Sequence, residues 1–281
     1  MQRLEPGIRK SRNDQVAVEE PLEIRLEFRA EGVRLSRPVS VTMRTPGQDF
    51  ELAAGFLFSE DILSSRAEIR EISYCQDEPP QEYNVLSVRL HDEVAFDPSL
   101  LTRNFYTTSS CGVCGKASIE AVEAQGCTVL PSGTLAMKAE RIALLPDRLL
   151  EGQSTFRKTG GLHAAGLFGA DGRTQILRED VGRHNAVDKV VGKGFLEGSL
   201  PWHDRVLVVS GRTSFEIIQK AVMAGIAMVV AVGAPSSLAV DLARRFNLTL
   251  VGFTRTGGFN LYAGEERVLD WEGPGSHAGQ G

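Results

Sequence analysis

Three short, almost wholly apolar runs in the second half of the chain constrain its fold more than any other feature. Val206-Leu207-Val208-Val209, the stretch from Ala227 to Val232 and the stretch from Thr249 to Phe253 have strand length and no polar alternation. A strand without a polar face is covered on both faces. Helix-length segments separate the runs, one from about Ser214 to Ala224 and one from Ser237 to near Phe246-Asn247. Strands spaced in this way pair in parallel through crossovers. The second half is therefore expected to be a three-layer α/β unit. Upstream, Leu162–Phe168 and Arg173–Leu177 flank the turn Gly169-Ala170-Asp171-Gly172 and predict a hairpin. Asp180 is placed to cap a helix over 181–191.

The first half carries a different pattern. Leu22-Glu23-Ile24-Arg25-Leu26-Glu27-Phe28 alternates apolar and charged residues, as a half-exposed strand does. Val39, Val41 and Met43 alternate likewise and predict its partner. Thr45-Pro46-Gly47 marks a turn, after which Asp49 is expected to cap a helix through Leu57. Strand-like runs follow at 69–74 and 83–90. These elements predict a smaller, antiparallel α+β unit over 21–101. Residues 1–20 and 266–281 are polar or glycine-rich and read as flexible tails. Residues 102–116 read as a mobile loop feeding a helix over 117–125, the start of an α/β domain over 117–265.

Hydrophobic residues make up 42% of the 281 and charged residues 24%, values of an ordinary globular chain. The net charge of −5 argues against coating nucleic acid by charge alone. No run is long and apolar enough for a membrane helix, and the N-terminus lacks a signal-peptide core. A cytoplasmic location is the resulting expectation.

That location directs attention to the four cysteines, Cys75, Cys111, Cys114 and Cys127. In a reducing compartment a close Cys-x-x-Cys pair is more often catalytic or metal-binding than a structural disulfide. Cys111 and Cys114 stand in Ser109-Ser110-Cys111-Gly112-Val113-Cys114-Gly115-Lys116, ahead of the predicted helix. Helix amides and Lys116 both favour the thiolate, which is the nucleophile. Zinc would need two further ligands at suitable spacing, and Cys75 and Cys127 are lone residues more consistent with packing. A deaminase zinc signature is missing too, since Ser110 precedes Cys111 and Ala165 stands where the glutamate after His163 would be. No metal is expected. Spacing alone leaves a thiol-disulfide redox centre and a sulfur-transfer thiol both open.

Ligands of open parallel sheets bind beyond the carboxyl ends of the strands. Val209 leads into Ser210-Gly211-Arg212-Thr213-Ser214, Val232 into Gly233-Ala234-Pro235-Ser236-Ser237, and Phe253 into Thr254-Arg255-Thr256-Gly257-Gly258. Small and hydroxyl residues with two arginines suit a phosphorylated or nucleotide-containing ligand. Asp180, His184 and Asp188 share a face at helical spacing, either as a ligand-positioning face or as a solvated one. His163, among small apolar residues, reads as a buried structural histidine.

Taken in order, several of these segments resemble the FdhD family of formate dehydrogenase accessory sulfurtransferases. The carriers are Arg44-Thr45-Pro46-Gly47, Glu51 to Leu57, the Cys111–Cys114 segment, Thr159 to His163, Glu179 to Lys189 and Ser210-Gly211-Arg212. The resemblance implies a sulfur carrier that takes persulfide sulfur from a cysteine desulfurase. It implies delivery to molybdenum bis(molybdopterin guanine dinucleotide) before that cofactor enters formate dehydrogenase. Cys111 would bear the persulfide, with Cys114 as its supporting partner. The guanine-dinucleotide contacts would fall on Phe253, Thr254, Arg255, Thr256, Gly257 and Gly258, the loop after the last strand, with Gly211, Arg212 and His184 nearby. A cytidine-deaminase-like fold without zinc and a homodimer are implied as well. Two other functions remain open: a thiol-disulfide oxidoreductase, and a molybdenum-cofactor-binding chaperone that transfers no sulfur.

Overall fold

The three apolar runs form the parallel middle of a six-stranded sheet. The structure, a computed structural model, describes residues 1–6, 8–11, 13–75, 83–98 and 127–269. The Cys111–Cys114 segment, the loop expected at 102–116, the helix expected at 117–125 and the chain beyond 269 lie outside the described residues.

The first half contains β1 (Gln2–Glu5), β2 (Ile8–Ser11), β3 (Glu20–Ala30), β4 (Val33–Arg44), α1 (Asp49–Ser59), β5 (Ile69–Tyr74) and β6 (Val85–Leu90). Four of these strands make a sheet in the order β4-β3-β6-β5. The alternation of β3 places Leu22, Ile24, Leu26 and Phe28 in a core against Leu52, Ala53 and Leu57 of α1. β3 with β4 and β5 with β6 are antiparallel, as the patterns predict. β3 and β6 run parallel, because α1 and β5 carry the chain back between them. β1 and β2 pair as a short hairpin within the stretch read as a tail.

Asp49 does not cap α1. It is the first helical residue, and Gln48 occupies the cap position at φ 54°. The Asp49 carboxylate is engaged elsewhere, by Arg44 at 3.0 Å and the Tyr74 hydroxyl at 2.9 Å.

The second half contains β7 (Met137–Lys138), α2 (Ala139–Ala143), α3 (Leu145–Gly152), α4 (Phe156–Thr159), β8 (His163–Gly169), β9 (Thr174–Asp180), α5 (Arg183–Glu197), β10 (Arg205–Val209), α6 (Phe215–Met223), β11 (Met228–Ala231), α7 (Ser237–Arg245), β12 (Thr249–Arg255), β13 (Gly258–Ala263) and β14 (Val268–Leu269). The sheet order is β13-β12-β11-β10-β8-β9. β10, β11 and β12 are parallel neighbours, and β8 and β9 form the expected hairpin. Leu207, Val229 and Leu250 face α5, α6 and α7, while Val206, Val208 and Val230 face α2 and α3. Both sheet faces are thus covered, and this is the three-layer α/β arrangement. At the end of the described chain, Val268 pairs with Met137 and the Arg267 guanidinium donates to the Pro131 carbonyl at 3.0 Å. The ordered chain therefore continues past residue 266, where a tail was expected.

The two halves meet where α1 crosses α5. A Cβ added to Gly192 would lie 1.8 Å from the Glu51 carbonyl oxygen, and one on Gly55 would lie 1.9 Å from that of Asp188. The backbones approach too closely for any side chain at either position. Gly192→Ala is therefore expected to destabilise the protein by about 1–3 kcal/mol or more by forcing the helices apart. Urea unfolding measures this, and an unchanged midpoint would contradict the close crossing.

Candidate functional site

The carboxyl edge of the parallel strands is held together by backbone bonds that extend beyond the strands. Gly233 donates to the Gly211 carbonyl at 3.1 Å, Phe253 to the Gly233 carbonyl at 3.1 Å, and Thr213 to the Ala234 carbonyl at 3.1 Å. Gly233 is needed here, because a Cβ on it would stand 2.9 Å from the Gly211 oxygen. Ser210 joins the antiparallel β8 to this edge: it donates its amide to the Ala164 carbonyl at 3.0 Å, and its hydroxyl accepts from the Ala164 amide at 2.9 Å.

At this edge lies a cavity of about 590 Å³, within the range of about 300–1,000 Å³ common for small-molecule sites. One wall is apolar, with Pro146, Leu149 and Leu150 from α3 and Phe156 from α4. The strand side supplies His163, Ser210, Val232, Thr254 and Arg255. Two buried polar atoms at this cavity have no hydrogen-bond partner, the Gln153 Nε2 and the Thr254 Oγ1. Leaving such a group unmet costs about 1–3 kcal/mol.

The residues expected to contact a guanine dinucleotide separate into groups. Thr254 and Arg255 line the cavity. They belong to β12 rather than to a loop, and the chain turns at Thr256 and Gly257 into β13 from Gly258. Gly257 takes φ 96°, which glycine adopts without strain. Phe253 sits at an irregularity in the strand with φ 52°, half-exposed, an uncommon conformation for an aromatic residue. The Thr256 hydroxyl bonds the Asp147 carboxylate and straps β12 to α3. Gly211 lies beside His163, with room of only 3.3 Å between an added Cβ and the ring nitrogen. Arg212 is exposed at the same rim. His184 is turned toward the start of α6, with Nε2 3.0 Å from the Ser214 hydroxyl and 2.9 Å from the Glu216 carboxylate. That contact with His184 holds the Glu216 carboxyl below its ordinary range.

The shared face of Asp180, His184 and Asp188 does not form. Asp180 ends β9, and α5 begins only at Arg183, capped by Gly182. Asp180 is fully buried and accepts from the Gly182 amide at 2.8 Å and the Asn185 amide at 3.0 Å. Its other oxygen pairs with Lys189 at 2.7 Å. Asp188 points into the core and pairs with Lys220 at 2.7 Å, where burial pushes its carboxyl up to about 6 despite that cation. Asp180 thus ties β9 to α5 and Asp188 ties α5 to α6, and neither lines the cavity.

His163 differs from the buried structural histidine expected. It is half-buried at the start of β8 and lines the cavity. Burial pushes its pKa down, and Arg183 and His184 push it further in the same direction. Its imidazole is therefore neutral near pH 7. Sequence reading also missed Gln153 and Asp147. Their helix stands about a hundred residues from Thr254, and no local spacing signals the meeting.

Cys127 packs against the main core, and burial raises its thiol to about 11, as suits a packing residue. Among the described residues no group of three or more His, Cys, Asp and Glu side chains is arranged to hold a metal ion. No helix among them is long and apolar enough to cross a membrane.

The chain matches the FdhD/NarQ family over residues 17–269. It is 51% identical to the sulfur carrier protein FdhD of Streptomyces avermitilis, over 95% of this chain and 93% of the relative. The protein of the same name from Mycobacterium tuberculosis is 48% identical, over 92% and 93%. That from Sulfolobus acidocaldarius is 40% identical, over 95% and 96%. A crystal structure described as a formate dehydrogenase accessory protein from Desulfotalea psychrophila has a TM-score of 0.72 and 27% identity, covering 96% of this chain and 97% of that one.

The electrostatics of the cavity can be read from one ring. The His163 titration, followed by NMR, should have its midpoint below 6.5, and Arg183→Ala should raise it by removing a repelling cation. A wild-type midpoint at or above 6.5 would contradict the burial of this ring.

Proposed function

Because this chain belongs to the FdhD/NarQ family, we propose that it is a sulfur carrier and sulfurtransferase serving formate dehydrogenase. In this reading the Cys111 thiolate attacks the terminal sulfur of a cysteine desulfurase persulfide. A new S–S bond forms on Cys111 as the donor's S–S bond breaks, and the desulfurase cysteine leaves as its thiolate. No outside oxidant or reductant is needed. The receiving substrate is molybdenum bis(molybdopterin guanine dinucleotide). Transfer of the sulfur as sulfide takes two electrons, which Cys114 supplies by closing a disulfide with Cys111. A cellular dithiol then restores the pair.

The observation that carries the reading is the cavity at the strand edge. It has an apolar wall for a ring and the Arg255 cation for an anionic group. Ser210 and Val232, at the ends of β10 and β11, line it as well. Those are the features a nucleotide portion of such a cofactor requires.

Incubation with a cysteine desulfurase and cysteine should add about 32 Da, one sulfur atom, to the intact protein. Cys111→Ala should abolish the gain and Cys75→Ala should leave it. No adduct on protein able to support formate dehydrogenase would favour a cofactor chaperone without transfer. Equal loss of a dithiol turnover in Cys111→Ser and Cys114→Ser would favour the oxidoreductase. For the cavity, Arg255→Ala should weaken GDP binding about tenfold, as loss of a charged contact does, and unchanged affinity would remove Arg255 from the site.

A further inference from the structure

We infer that the basic N-terminal hairpin β1–β2, with the stretch 13–19 behind it, is a strap that closes on an anionic ligand at the strand-edge cavity and supplies cations to it. The inference rests on the nucleotide-site reading of that cavity and adds a further part of the chain to it. Residues 13–19 have no regular structure and join β2 to β3. Val16 and Val18 are 81% and 53% exposed, whereas Ala17 between them is half-buried. Ala17 meets Gly161: its methyl stands 3.6 Å from the position that a Cβ would take there. Gly160 and Gly161 both line the cavity, where α4 ends with Gly160 at φ 69°. The stretch is thus held at Ala17 against the glycine edge of the cavity.

The hairpin is tethered to that point. Lys10 stands seven residues before Ala17, so extended chain keeps it within roughly 25 Å of the edge. β2 is exposed over its whole length, and so are Gln2 and Arg3 of β1. A two-stranded ribbon without a packed face is marginally stable by itself. Little packing is therefore lost when it moves onto a ligand, and contacts with that ligand add to its order.

Charge defines the ligand. Residues 1–12 hold Arg3, Arg9, Lys10 and Arg12 against Glu5 alone, a net +3. The whole chain carries −5, which leaves −8 on the remaining residues. A body of that sign repels a polyanion on approach. Arg255 offers a cation from the strand side of the cavity, and the hairpin brings a cluster of them from outside. Phosphate groups that project from the cavity are the chemistry such a cluster takes. The match to the FdhD/NarQ family begins at residue 17, so the hairpin precedes the matched part of the chain.

Trypsin cuts after arginine and lysine, so its cleavage at the exposed Arg9 and Lys10 reports on closure. Saturating GDP should slow that cleavage in the full wild-type chain about tenfold, because cleavage follows the open population. In calorimetric titration, the full chain with Arg9→Glu and Lys10→Glu should bind GDP about three- to tenfold more weakly at low salt, and added salt should shrink the difference. An unchanged cleavage rate with GDP bound would overturn the inference. So would an unchanged GDP affinity in the charge-reversed chain, or a loss that salt does not diminish. The nucleotide-site reading would survive all three. A wild-type chain that binds no GDP would overturn both.

Discussion

Asp180 and Lys189 form an ion pair from which water is almost wholly excluded, at 2.7 Å. Charges so placed are expensive unless hydrogen bonds meet them. Asp180 accepts from the amides of Thr45, Gly182 and Asn185, and Lys189 also donates to the Thr45 carbonyl at 2.9 Å. Thr45 lies between β4 and α1, whereas Asp180 ends β9 and Lys189 lies in α5. The pair therefore fixes the first unit to the second at the point where the chain enters α5. Breaking such a pair by removing one partner leaves a buried charge and costs about 3–5 kcal/mol.

The rest of the arrangement depends on that junction. With α5 held there, Gly192 can meet the α1 backbone and Gly55 can meet that of α5. Arg178, just before Asp180 on β9, clamps Glu51 of α1 through two hydrogen bonds. Asn185 reaches back to the Met43 carbonyl at 2.8 Å. The N-terminal end of α5 is thereby placed beside His163 and Gly211. There burial pushes the His163 pKa down, and Arg183 adds to that push through space.

Much of this was legible in the sequence. Period-two alternation in β3 and unbroken apolar runs in β10 to β12 follow from which faces are covered, and coverage shows directly in residue type. The polar residues were harder. Asp49 and Asp180 both resemble helix caps, because a short acidic side chain before an apolar periodic stretch is the usual cap signal. Each instead meets a cation, Arg44 or Lys189, that the local sequence does not assign to it. His163 reads as structural from its small apolar neighbours, although the strand begins at that residue and leaves the ring at the cavity.

The sequence by itself determined the layers, the parallel order of the central strands, the cysteine pair and the small-residue loops at the strand ends. Each of these is written in local periodicity or composition. Only the tertiary structure decided which wall faces those loops. It brought Gln153 and Asp147 across to Thr254 and Thr256, and it turned His184 toward Ser214 and Glu216. The physical reason is that the chain packs α3 over one face of the sheet and α5 over the other. The neighbours of a side chain are then set by how covered surfaces stack, over distances along the chain that no local pattern records.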